Sequence, residues 1–102
     1  FNITASGSSD YVFAADSKFF TANANDPVLY LRRGETYKFI VNASGHPFQI
    51  RVSNGGSAYN TGVTNNGQSN ATITFIVPMT APATLYYQCT AHSGMGAVIN
   101  IV

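Results

Sequence analysis

Short stretches in which apolar and polar residues alternate make up most of the chain. In residues 36–41 the side chains of Tyr37, Phe39 and Val41 share one face, and residues 48–52 alternate in the same way. Alternation with a period of two predicts β-strands that are buried on one face. The spacing of three to four residues that predicts an amphipathic helix is almost absent, so the pattern indicates an all-β protein.

Turn residues separate these stretches along the whole chain, as Gly-rich and Asn-rich clusters between β-branched and aromatic segments. The spacing predicts a two-sheet Greek-key β-sandwich of roughly seven to eight strands, built as one domain over residues 1–102. Val52 is expected to continue the buried face of Phe48 and Ile50. The side chains predicted to supply most of the core are Phe13, Leu29, Leu31, Phe39, Val41, Phe48, Ile50, Ile73, Phe75, Val77, Leu85, Tyr87, Val98 and Ile99.

Two segments depart from the strand pattern. Residues 53–70 contain four glycines and are expected to form a surface excursion, with at most a short edge strand at residues 58–61. Residues 14–23 form the only segment that is compatible with a short helix, and the pattern gives that helix little support.

Composition limits the functions that such a sandwich can have. The chain has 102 residues, 45% of them hydrophobic, which suits one packed core. Its net charge is +1 and it has five Lys and Arg residues, too few for the basic surface of a nucleic-acid binder. No apolar run reaches the roughly 18 residues of a membrane span. The single cysteine excludes an intrachain disulfide, so it must be a buried thiol, a nucleophile or a metal ligand.

The chain starts at Phe1 without a signal-peptide pattern, as expected of a mature product or of a domain cut from a longer protein. The low charge and the many Asn, Ser, Thr and Gly residues favour an extracytoplasmic location, whether periplasmic, secreted or on a surface. We expect the isolated domain to be monomeric.

The residues able to ligate a soft metal are few and grouped. Cys89, His92 and Met95 fall within seven residues as Cys-x2-His-x2-Met, and His46 precedes a predicted strand. Cys89 ends another strand, so a compact loop can return the other two toward its sulfur, with glycines on either side of Met95 to let the backbone bend. Two imidazoles, a thiolate and a thioether are the ligand set of a mononuclear blue-copper site. We therefore predict one bound copper ion.

Copper needs such a mixed ligand set because it must be stable in two oxidation states. Thiolate and thioether are soft and favour Cu(I), whereas imidazole also accepts Cu(II). Ligands held by a β-sandwich and a short loop would move little between the two states, which makes electron transfer fast. The ligand set thus predicts a one-electron carrier that cycles between Cu(I) and Cu(II).

Residues 85–96, with the sequence LYYQCTAHSGMG, resemble the last strand and ligand loop of plastocyanin and amicyanin, which belong to the cupredoxin family. Residues 29–39 are similar to the strand, Gly-acidic turn and strand that lead to the family's first histidine. The likeness covers residues 28–102, and the Cys-x2-His-x2-Met spacing matches the short loop of amicyanin.

The resemblance implies a role for each ligand. His46, Cys89 and His92 would be the equatorial ligands of the copper, and Met95 the axial one. A weak axial thioether would tune the balance between Cu(I) and Cu(II) more than it holds the metal.

One position departs from the family. The family has Asn after its first histidine, and that side chain braces the cysteine loop. Here the residue is Pro47, which has neither an amide side chain nor an N–H. The brace must therefore be lost or replaced, and Asn42 and Ser44 are the candidates to replace it.

Electron transfer is expected to run through the edge of His92, framed by a patch of Pro47, Ala91 and Gly94. Cys89 and the first histidine are expected inside the protein. Because the patch is small and uncharged, an unidentified redox protein would dock there through apolar contact, not through charge steering.

Other functions stay open. Zinc also binds Cys and His, but it rarely takes a thioether. A Cys89 nucleophile paired with His92 would lack a nearby carboxylate to orient the imidazole. A cupredoxin-fold module of a larger surface or virion protein, which binds copper without a redox partner, fits the low charge as well as a carrier does. We expect no enzymatic activity, because four protein ligands leave no open position for a substrate.

Overall fold

A computed structural model describes residues 1–15 and 19–102 of the chain. These residues form ten β-strands and no helix. The strands are β1 (Asn2–Ser6), β2 (Asp10–Phe13), β3 (Ala24–Asn25), β4 (Leu29–Leu31), β5 (Thr36–Asn42), β6 (Phe48–Arg51), β7 (Val63–Thr64), β8 (Asn70–Ile76), β9 (Thr84–Cys89) and β10 (Gly96–Ile101).

The strands form two sheets that pack into a sandwich. One sheet has the order β3-β2-β1-β5-β8-β7, and the other has the order β4-β10-β9-β6. Strands β3 and β7 are two residues long, and the eight longer strands match the number that the turn spacing predicts. The prediction of an all-β, two-sheet sandwich is confirmed.

Each sheet mixes antiparallel and parallel pairs. Strands β5 and β8 pair antiparallel over seven positions, while β1 runs parallel to β5 and β4 runs parallel to β10. The chain passes from the larger sheet to the smaller one after β3, after β5 and after β8. The last two crossings lead to the paired strands β6 and β9, and the candidate site lies at one end of this pair.

Strand alternation explains most of the core. All of the predicted core residues except Val98 are buried. Val98 is half-buried because the period of two in β10 turns Ala97, Ile99 and Ile101 inward. Val52 is 47% exposed, so the prediction for it is wrong. Strand β6 ends one residue before it, and the alternation ends there too.

An aromatic cluster fills the space between the sheets. The rings of Phe48 and Tyr87 stack with their centroids 5.2 Å apart, and Tyr11 meets Phe48 edge-on at 5.1 Å. The Tyr87 hydroxyl donates a 2.6 Å hydrogen bond to the carbonyl of Pro27. Tyr11 and Ile3, which the sequence pattern did not single out, are also fully buried. Ile3 lies in β1, and Tyr11 lies in β2 on the same face as the predicted core residue Phe13.

The irregular segments follow the sequence expectation in outline only. The edge strand of residues 53–70 is Val63–Thr64, and Ala58 forms only an isolated bridge to Arg51. Residues 14, 15 and 19–23 are not helical, while residues 16–18 lie outside the described part of the chain. Among the described residues, no helix has the length and apolar character to cross a membrane.

Candidate metal centre

Strand register brings the first histidine to the cysteine. Phe48 at the start of β6 pairs with Cys89 at the end of β9. His46 stands two residues before Phe48, and so it reaches the end of the sheet where the cysteine lies. The connection between β5 and β6 therefore supplies one candidate ligand, and the end of β9 with its connection to β10 supplies the others.

His46 is held by a tight turn. Its N–H donates to the carbonyl of Ala43 at 2.8 Å, and Gly45 within the turn has a φ of 81°. A side chain would be strained at that φ, so glycine suits this position. The carbonyl of His46 accepts a 2.7 Å hydrogen bond from the hydroxyl of Tyr11.

The ligand loop, residues 89–95, is closed by its own backbone. The Cys89 N–H donates to the Met95 carbonyl at 2.8 Å, and the Met95 N–H donates to the His92 carbonyl at 3.1 Å. These two bonds fold the Cys-x2-His-x2-Met segment back on itself. Gly96 comes next with a φ of 145°, and a Cβ there would overlap the carbonyl oxygen of Tyr87. The loop needs this glycine to rejoin the sheet, whereas Gly94 has open space around it.

Three donor atoms converge at the end of the sandwich. The Nδ1 atoms of His46 and His92 are 3.3 Å apart, and the Cys89 sulfur lies 3.9 Å from the first and 3.5 Å from the second. These distances leave a common point about 2.1 Å from each atom, close to the roughly 2.0–2.3 Å bonds of a first-row metal to imidazole nitrogen and thiolate sulfur. The arrangement can hold a metal ion without rearrangement of the three side chains.

The sulfur ligands are buried and the imidazoles are not. Cys89 is 1% exposed and Met95 is 0% exposed, and Met95 lies close to the other three residues. Both histidines are half-buried. The expectation that His46 lies inside the protein is therefore wrong. The turn that places its ring beside Cys89 leaves it half-buried.

An open cavity of about 540 Å³ lies beside the two imidazoles. Small or polar residues of β1, of the turn after it and of the turn before His46 line the cavity, among them Thr4, Ser8 and Ser44. None of the described lining residues is acidic, lysine or arginine. Both imidazole edges are thus accessible from a neutral, polar surface.

The predicted patch around His92 is accessible as well. Ala91 and Gly94 are exposed and Pro47 is half-buried. Its part in electron transfer stays a prediction.

The brace that Pro47 cannot provide through its side chain is made by its backbone. The Thr90 N–H, in the ligand loop, donates to the Pro47 carbonyl at 3.1 Å. Neither Asn42 nor Ser44 supplies the brace, since both are exposed and neither side chain makes a hydrogen bond within the described part of the chain. The link between the two ligand segments is therefore kept although the Asn is absent.

Tyr11 belongs to the site although sequence reasoning missed it. Its hydroxyl bonds the His46 backbone, and its ring is fully buried. Burial raises the pKa of Tyr11 above its ordinary value, and the neighbouring Cys89 raises it further. The hydroxyl therefore stays protonated and keeps its donor. No signal in the sequence could have found it, because Tyr11 lies far from the ligands along the chain.

The donor set decides which chemistry the cluster can support. It contains two imidazoles and one thiol, and no carboxylate belongs to it among the described residues. Such nitrogen and sulfur donors favour copper or zinc over magnesium or calcium. The buried thioether of Met95 beside them favours copper, because zinc rarely takes thioether sulfur.

Comparison with known proteins adds no family assignment. No protein-family model matches the chain, and neither does any curated protein. The fold and the donor set therefore carry the functional argument.

Proposed function

We propose that the chain is a cupredoxin-like protein that binds one copper ion through His46, Cys89, His92 and Met95 and carries one electron. The observation that carries the proposal is the triangle of two Nδ1 atoms and one Sγ atom, with sides of 3.3, 3.5 and 3.9 Å. A β-sandwich with this triangle at one end and a buried methionine beside it is compatible with a type 1 copper site.

Bound copper would supply a one-electron couple, Cu(I)/Cu(II). The protein's part is to keep the donors nearly fixed. The backbone bonds within the ligand loop, the Thr90 link to Pro47 and the Tyr11 bond to the His46 carbonyl all restrain the ligands. Ligands that move little between oxidation states lower the cost of electron transfer.

We propose no catalytic step at this site. Four protein side chains would complete the coordination and leave no position for a substrate. The two sulfur ligands are buried, so contact with a partner would come through the imidazole edges. The patch of half-buried Pro47 and exposed Ala91 and Gly94 adjoins those edges, as does the neutral cavity. Both support docking of a redox protein through uncharged contacts.

The absorption spectrum after addition of Cu(II) to the metal-free protein tests the proposal. We expect an intense blue band from thiolate-to-Cu(II) charge transfer that saturates at one copper per chain. Cys89→Ser should abolish the band because it removes the thiolate. The buried ring of Tyr87 should keep its packing in that variant, so that loss of the band does not come from unfolding. A Cys89→Ser protein that stays blue, or a wild-type protein that binds zinc and gives no blue band with copper, would refute the proposal.

A further inference from the structure

Gln88 is the one buried amide side chain in the described part of the chain, and no charged side chain is buried there. It stands directly before Cys89 and is 1% exposed. Strand alternation puts its side chain on the face opposite Tyr87 and Cys89, outside the main core. Burial of an amide is costly unless its polar atoms are hydrogen-bonded, so its contacts need a reason.

The amide group of Gln88 joins three separate segments. Its Nε2 donates to the carbonyl of Ser93 in the ligand loop at 2.9 Å. Its Oε1 accepts from the N–H of Gly55 at 2.8 Å and from Nη1 of Arg51 at 3.2 Å. The two donors on one end and the carbonyl on the other fix the orientation of the amide, because a flipped amide would lose all three bonds.

The partners of Gln88 are themselves restrained. Arg51 also donates from Nε to the side chain of Gln49 at 2.8 Å, and Gln49 pairs with Gln88 across the two strands. Gly55 belongs to a turn closed by the bond from the Gly56 N–H to the Ser53 carbonyl at 3.0 Å. The ligand loop is therefore tied, through one side chain, to a turn and a strand that contain no ligand.

This tie acts on the Ser93 carbonyl, which accepts no backbone hydrogen bond among the described residues. The bond from Cys89 to Met95 joins the two ends of the loop, the bond from Met95 to His92 closes a turn around Ser93, and Thr90 is bonded to Pro47. Ser93 lies between His92 and Met95 and is exposed. The other contacts of residues 92–94 are the bond from the Met95 N–H to the His92 carbonyl and those of the His92 ring with Cys89 and His46, and none of them holds Ser93.

We infer that Gln88 is a positioning residue that fixes His92 and Met95 by anchoring the Ser93 carbonyl to Arg51 and to the turn at Gly55. The inference rests on the proposed function as far as copper is concerned, and on geometry alone as far as the loop is concerned. In a copper site, Gln88 would help to limit the movement of the ligands between the two oxidation states.

Two substitutions separate the donor from the rest of the network. Gln88→Glu keeps oxygen acceptors for Arg51 and Gly55 but loses the donor to Ser93. Gln88→Met removes all three bonds at similar volume. Gln49→Met is the matched control. Gln49 is the same residue type at the paired position, and its side chain contacts Arg51 but not the loop.

The first measurement is backbone amide exchange in the metal-free proteins. The reporters are the N–H groups of Met95 and Cys89, with the N–H of Phe39 in β5 as the reference for global opening. We expect both Gln88 variants to speed exchange at the loop reporters about fivefold to tenfold relative to Phe39, the factor expected for one lost internal hydrogen bond. Gln49→Met should leave that ratio unchanged. Unchanged loop exchange in Gln88→Glu and Gln88→Met would overturn the inference.

The second measurement is the charge-transfer band and the dissociation rate of added copper. Both Gln88 variants should shift the band and release copper severalfold faster, while Gln49→Met behaves as wild type. Equal effects of Gln49→Met would overturn a specific role for Gln88. A wild-type protein that gives no blue band would refute the proposed function, and the exchange ratios would still decide whether Gln88 positions the loop.

Discussion

Met95 illustrates how much of the site can be inferred at the scale of single residues. Its spacing from Cys89 and His92 predicts a ligand, and the structure buries it completely beside them. A residue that only filled the core would show the same burial. The role of its sulfur therefore has to be tested by a change that keeps volume and removes the thioether.

Met95→Leu should retain blue copper and raise the reduction potential, because loss of the thioether donor disfavours Cu(II). The swap should cost less than about 1.5 kcal/mol of stability, since the volumes are similar. Met79→Leu is the control, because Met79 is 73% exposed and lies outside the site. Voltammetry of both variants measures the potential, and complete loss of copper from Met95→Leu would contradict the axial assignment.

Tyr11 and Tyr87 are two tyrosines with the same kind of buried hydroxyl bond, one at the site and one away from it. Each is fully buried and donates its hydroxyl proton to a backbone carbonyl, that of His46 and that of Pro27 respectively. Removal of either hydroxyl leaves a buried carbonyl without its partner, which should cost about 1–2 kcal/mol in thermal or denaturant unfolding.

Only the Tyr11 change should also reach the metal. We expect Tyr11→Phe to release copper faster than wild type because the His46 backbone loses a restraint, while Tyr87→Phe keeps the wild-type rate. Copper transfer to a strong chelator measures both rates. Equal rates in the two variants, after correction for stability, would show that the Tyr11 bond serves the fold alone.

At the scale of elements, the ligand loop depends on how it rejoins the sheet. Gly96 is the first residue of β10, and its φ of 145° together with the close Tyr87 carbonyl leaves no room for a side chain. Gly96→Ala should destabilise the protein by about 3 kcal/mol, from strain and overpacking combined. Gly94→Ala should have almost no effect, because a methyl group at Gly94 would meet no atom within 4 Å. Denaturant unfolding of both variants checks this, and similar stabilities would contradict the account of the loop.

The sequence predicts those parts of the fold that depend on local pattern. Alternation in β5, β6 and β8 identifies the buried faces, and the position of Cys89 at the end of a strand predicts a loop that returns toward it. Alternation alone could not tell which of Val98 and Ile99 faces inward, since both are apolar and the answer depends on where the strand begins.

The parts of the site that escaped prediction depend on contacts between distant segments. The hydroxyl of Tyr11 and the amide of Gln88 reach the ligand segments through packing of β2 and of the turn at Gly55. His46 is half-exposed because of the turn at Gly45, and hydrophobic periodicity does not indicate how deeply such a turn is buried. Pro47 still links the two ligand segments, because its backbone carbonyl accepts from the Thr90 N–H. A comparison of side chains alone does not show this bond.

For the whole molecule, the charge distribution bears on how a partner would approach. Only 9% of residues are charged, with four acids in the chain, and the described lining of the cavity beside the histidines carries no acidic, lysine or arginine side chain. We expect electron-exchange rates to change only weakly between low and high salt, because charge steering has little to act on.

A substitution within the patch separates the carrier from a copper-binding module without a redox partner. Gly94→Glu should slow electron exchange sharply, because it places bulk and charge beside His92. Ala83→Glu, at an exposed position at the other end of β9, should not. Exchange measured by stopped flow with a small-molecule or protein oxidant decides this. A steep salt dependence together with an indifferent Gly94→Glu would favour the module and place electron transfer on another face.

The most direct test of the central claim is X-ray absorption at the copper edge, recorded on the protein in both oxidation states. We expect two nitrogen ligands and one thiolate sulfur in Cu(II) and in Cu(I), with little change of distances, because the donor triangle is already formed by the fold. A spectrum without a sulfur ligand, or one in which reduction replaces the ligands, would contradict that claim.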